Sequence, residues 1–108
     1  MRISHNNIKA IDSKAFENLK NLNLLYLDYN NISLLLSKIF INLSELRELY
    51  LNNNQIKTLP DQIFESLHEI RNIQISNNKL ENPELLFFNN PKIESLDFSN
   101  NYFTLIER

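Results

Sequence analysis

Acid–base or nucleophilic catalysis in this chain would have to be built from His5, His68 and carboxylates such as the pairs Glu45 and Glu48 or Glu65 and Glu69. Such a site needs a nucleophile, a base and an orienting group within hydrogen-bond reach of one another. Composition excludes two other chemistries. Without glycine there is no Gly-rich phosphate loop, and without cysteine there is neither a disulfide frame nor a thiolate metal ligand. Eleven Lys and Arg stand against thirteen Asp and Glu, and both signs are dispersed, so a phosphate-backbone partner is not indicated. No apolar run exceeds four residues, far short of the ~20 needed to span a bilayer. The residues with the clearest potential are for recognition. Tyr26, Tyr29 and Tyr50 stand near Leu24, Asp28, Glu48 and Asn52, and aromatic side chains among charged and amide groups are the composition of protein-binding surfaces.

What brings such residues together is a repeat. Asn6, Asn30, Asn54, Asn78 and Asn101 recur at intervals of 24, 24, 24 and 23. Two residues after each stands Ile8, Ile32, Ile56, Leu80 or Phe103, and three before it Ile3, Leu27, Leu51, Ile75 or Phe98. Two residues earlier again come Met1, Leu25, Leu49, Ile73 and Leu96. Phe16, Phe40, Phe64 and Phe88 follow the Asn by ten residues in four copies. Alternation around Leu25 and Leu27 is the pattern of a short strand with one buried face, and Ile32, Leu35, Phe40 and Leu43 return apolar side chains from the far side of a coil. A single coil has no partner for those side chains, so neighbours must stack on one shared core.

The spacing L-x-x-L-x-L-x-x-N-x-L, read here as Leu22, Leu25, Leu27, Asn30 and Ile32, resembles the leucine-rich repeat signature. The copy Leu46, Leu49, Leu51, Asn54, Ile56 continues through Leu59, Pro60, Phe64 and Leu67, which is similar to the typical 24-residue subclass. The resemblance covers essentially the whole chain. It implies an α/β solenoid: a horseshoe arc with a parallel β-sheet on the concave face and a mostly irregular or short-helical convex face. Five short strands are expected near residues 2–4, 25–28, 49–52, 73–76 and 96–99. A recognition module is implied, a slice of a receptor or adhesion ectodomain similar to Toll-like and other leucine-rich receptors. Its partner would be a protein, and its location extracellular or at the cell surface. The alternatives are a structural spacer or an intracellular scaffold repeat in the cytoplasm.

The repeated Asn lies where the chain leaves the strand, and its amide can pair with backbone of its own and the adjacent coil. The Asn beside it (Asn7, Asn31, Asn53, Asn77 or Asn100) serves the turn, because Asn visits left-handed conformations more readily than other residues with a Cβ. His5 follows a strand and His68 follows the outer Leu67, so the two fall at different phases and share no site. Catalytic, cofactor and metal sites are therefore not expected, and neither is nucleic-acid binding, since Arg2 is the one fixed cation of the concave face. Outward strand positions are the expected partner surface: Leu24, Tyr26, Asp28, Tyr29, Glu48, Tyr50, Asn52, Gln74 and Asp97. The competing reading of Tyr26 and Tyr50 is a cross-strand pair that only stabilises the sheet, by up to ~1 kcal/mol.

The fourth copy departs most: Pro83 replaces an apolar residue, and one residue is missing between Phe88 and Ile93. The ladder resumes at Ile93, so the inner sheet should continue. All 108 residues read as about four and a half coils without cysteine-rich caps, and flanking repeats of a longer parent are expected. The sequons at Asn31 and Asn42 occur at the frequency chance gives and do not decide the compartment.

Overall fold

Period-two alternation makes four three-residue strands: β1 (Leu24–Tyr26), β2 (Glu48–Tyr50), β3 (Asn72–Gln74) and β4 (Ser95–Asp97). They belong to a computed structural model that describes residues 1–81 and 90–103. The strands pair in parallel in the order β1-β2-β3-β4, with Leu25, Leu49, Ile73 and Leu96 in one row. Arg2 adds a parallel bridge to Tyr26 where the first strand was expected. These four strands start one residue and end two residues earlier than the alternation suggested, while ladder bonds continue past their ends. Leu27 N–H donates to Tyr50 O at 2.8 Å and Tyr29 N–H to Asn52 O at 2.9 Å.

Beyond the strands a second backbone ladder follows. Asn31 N–H donates to Ile8 O, Gln55 N–H to Ile32 O and Lys79 N–H to Ile56 O, at 2.8, 2.8 and 2.9 Å. These bonds keep adjacent coils in register as the apolar Ile8, Ile32, Ile56 and Leu80 turn inward. The outer side is made of tight turns closed by i+3 to i bonds, such as Ile39 N–H to Leu36 O and Ile41 N–H to Lys38 O, at 3.1 and 3.2 Å. No regular helix occurs among the described residues. Phe16, Phe40 and Phe64 stack along this wall at ring separations of 6.3 and 6.2 Å. The fourth Phe of that series, Phe88, lies outside the described residues, as does Pro83.

The core is one continuous stack. Leu25, Leu27, Leu49, Leu51, Ile73 and Ile75 are fully buried under the sheet, and Phe40, Leu43, Leu46 and Leu67 close it from the other side. Where the repeat shortens by one residue, Asn90 takes the place that Leu19, Leu43 and Leu67 hold in the other coils. It is buried there because its amide donates to Leu67 O at 3.0 Å and its Oδ1 accepts Lys92 N–H at 3.0 Å. The pairing Ile73 to Leu96 shows that the sheet crosses this irregularity in phase.

Candidate functional site

Each coil leaves its strand through a left-handed residue. His5, Tyr29, Asn53, Asn77 and Asn100 have φ of 59, 55, 60, 56 and 56°, each directly before the repeated Asn. The turn position is thus the residue preceding that Asn in all five coils. Asn7 is also left-handed, but Asn31 is not, and two coils place an aromatic ring there instead of an amide. Gln62, on the outer wall, is the remaining left-handed residue among the described residues, at φ 60°.

The repeated Asn then locks the exit. Asn54 donates from Nδ2 to Leu51 O at 3.0 Å in its own coil and to Leu27 O at 3.1 Å in the coil before, while its Oδ1 accepts Ile32 N–H at 3.0 Å. Asn30, Asn78 and Asn101 make equivalent bonds. Asn6 is exposed and its amide donates only to Ser4 O at 3.1 Å.

This frame sets the outward side chains in columns. Arg2, Tyr26, Tyr50, Gln74 and Asp97 form the central one. Tyr26 and Tyr50 stack at 4.4 Å with an interplanar angle of 1°, and the Arg2 guanidinium sits 4.5 Å from the Tyr26 ring centroid. Tyr50 donates its hydroxyl to Glu48 and accepts Asn72 Nδ2 at 3.2 Å. The bond to Glu48, helped by burial, pushes the Tyr50 phenol well above the ordinary tyrosine range. From Asn72 the network runs on through Gln74 to Ser95, at 2.6 and 3.2 Å.

The next columns hold Asp28 and Asn52, then the left-handed residues. Ser4 donates its hydroxyl to Asp28 at 2.6 Å, and the Ser99 hydroxyl and backbone N–H hold the Asp97 carboxyl below the usual carboxylate range. Asn52 Oδ1 is the one buried side-chain acceptor left without a donor among the described residues. His5 stacks on Tyr29 at 4.6 Å and 13°. Tyr29 and Leu24 are exposed, at 49% and 36%, whereas Tyr26 and Tyr50 are half-buried. Arg2 and His5, expected on the concave face but not among the named partner-binding residues, are part of this cluster. The repeat pointed to both, since each lies 24 residues before a tyrosine of the face.

Elsewhere, a cleft of about 500 Å³ on the outer wall is lined by Lys38, Ile41, Asp61, Gln62, Glu65 and His68 among others. Glu69 pairs with Lys92 at 2.7 Å, which lowers its carboxyl from the usual range. No group of three or more His, Cys, Asp or Glu among the described residues is arranged to hold a metal ion. No helix of the described residues is long and apolar enough to cross a membrane.

A family model described as "Leucine rich repeat" matches residues 1–56 and 33–80. The chain belongs to the leucine-rich repeat family. Among solved leucine-rich repeat structures, the repeat domain of APL1B is similar at 28% identity and a TM-score of 0.90, over 99% of this chain and 33% of that one. A chain of the LRIM1/APL1C complex is 31% identical with a TM-score of 0.73, covering 74% of this chain and 15% of that chain. The Drosophila Toll–Spatzle complex shares the fold, with a TM-score of 0.82 at 24% identity over 93% of this chain and 15% of that chain. This chain therefore spans a third or less of these leucine-rich repeat chains. No curated protein sequence matches it.

Proposed function

We propose that this chain is a protein-recognition module whose partner lies along the concave sheet, with Tyr26, Tyr29 and Tyr50 at the centre. Leu24, Asp28, Glu48, Asn52, Gln74 and Asp97 surround them. The observation that carries the reading is the pair of ring stacks, Tyr26 on Tyr50 and Tyr29 on His5, side by side at one end of a polar sheet. Aromatics already fixed by stacking lose little rotamer freedom on binding and make efficient anchors. Three carboxylates on this face, Asp28, Glu48 and Asp97, favour a partner with basic groups and speed its association. Two structural relatives are themselves described as protein complexes, LRIM1/APL1C and Toll–Spatzle, which supports a protein ligand. On the family resemblance we place the chain in the ectodomain of a receptor or adhesion protein, outside the cell or at its surface. Both sequon asparagines, Asn31 and Asn42, are exposed, as attachment of a glycan requires.

One observation favours the spacer reading. Tyr26 is sandwiched between Arg2 and Tyr50, so part of the aromatic surface is spent inside the sheet. The two readings separate in a binding comparison. A peptide selected from a displayed library against the full chain should lose tenfold or more in affinity with Tyr50→Ala or Tyr29→Ala. Lys38→Ala and Glu65→Ala on the outer wall should leave it unchanged. Equal affinities across all four variants, with folding intact, would move recognition off this face and favour the spacer.

A further inference from the structure

We infer that Tyr29 and Asp28 form a seat for one cationic side chain of the partner, an arginine guanidinium or a lysine ammonium; the inference rests on the concave-face reading and refines it. Tyr29 is the tyrosine of this face with ring surface to spare. It is 49% exposed, while Tyr26 is half-buried with Arg2 at 4.5 Å and Tyr50 at 4.4 Å. His5 fixes the Tyr29 ring by stacking at 4.6 Å, and the next residue of that column is Asn53, not another ring.

Tyr29 holds φ 55° in the same exit turn that His5, Asn53, Asn77 and Asn100 make at 59, 60, 56 and 56°, so the repeat fixes where its side chain leaves the backbone. Charge selects the ligand. Asp28 is oriented by the Ser4 hydroxyl at 2.6 Å, and Glu48 and Asp97 share the face with it. Arg2, the cation of this face, is already engaged on Tyr26. Its guanidinium over that ring is the same contact made within the chain, at a distance where the ring quadrupole attracts a cation.

The probes are N-acetyl-arginine amide and its neutral near-isostere N-acetyl-citrulline amide, titrated into the isotope-labelled full chain while amide and ring resonances are followed. Arginine should give saturable shifts centred on Asp28, Tyr29 and His5, and citrulline at least fivefold weaker ones. Tyr29→Asn places at residue 29 the amide that three other coils already use, so it should keep the fold, checked by circular dichroism, and weaken arginine binding at least fivefold. Asp28→Asn should do the same. Equal shifts with citrulline, shifts centred elsewhere, or unchanged binding in Tyr29→Asn overturn the seat. A library-selected peptide that maps to the sheet without depending on Tyr29 overturns the seat and leaves the concave-face reading standing. Peptides that map off the sheet overturn that reading, and the arginine titration then still decides the seat.

Discussion

An amide at the strand exit does what no smaller or charged side chain can do in the same volume: it donates to two coils and accepts from one of them. Asn54 is 3% exposed, and truncation would leave the buried Ile32 N–H without its acceptor, while Leu27 O and Leu51 O would keep the donors of Asn30 and Asn78. Asn54→Ala should therefore lower stability by about 1–3 kcal/mol in urea denaturation. Leu51→Ala should lower it by about 2–5 kcal/mol through the cavity left behind. Lys57→Ala, exposed on the same coil, should stay within about 0.5 kcal/mol. Three equal losses would contradict the assignment of inner and outer positions. Tyr50 carries a second test. Its phenol is held protonated mainly because ionisation would break the bond to Glu48 and set two negative charges together. In an ultraviolet titration Tyr50 should ionise above the ordinary tyrosine value of 10.0, and Glu48→Gln should bring it back towards that value. An unmoved transition would remove Glu48 as the cause.

At the level of the coil, strands and core were legible because a fixed period repeats each buried position five times, so Leu25 and Leu49 vouch for one another. Exit geometry was less so. Asn is common beside the repeated Asn on both sides, and composition alone did not say that the left-handed residue precedes it; Tyr29 and His5 hid the pattern. Asn90 was equally hidden, since an amide in a leucine column makes sense only once Leu67 O is seen beside it. The outer wall rests on its rings. Phe40 is fully buried between Phe16 and Phe64. Phe40→Ala should lower stability by about 3–5 kcal/mol. Thermal or urea melts that place it no lower than Lys38→Ala would show that the stack is not what holds the outer turns.

Across the whole molecule, the division of labour follows from stacking: apolar side chains face neighbouring coils, leaving the outward columns of the sheet free to vary. That freedom made Tyr26, Tyr29 and Tyr50 visible as candidates in the sequence. How their surfaces are divided was not visible, because it depends on ring planes: Tyr26 is enclosed by Arg2 and Tyr50, and Tyr29 stands open against His5. The concave-face claim is most directly tested by amide shift mapping of the full labelled chain with a library-selected peptide partner. Perturbations should concentrate in residues 2–5, 24–29, 48–53 and 72–77, with residues 12–20, 36–44 and 60–68 silent. Perturbations centred on the outer-wall segments, with the sheet silent, would contradict it.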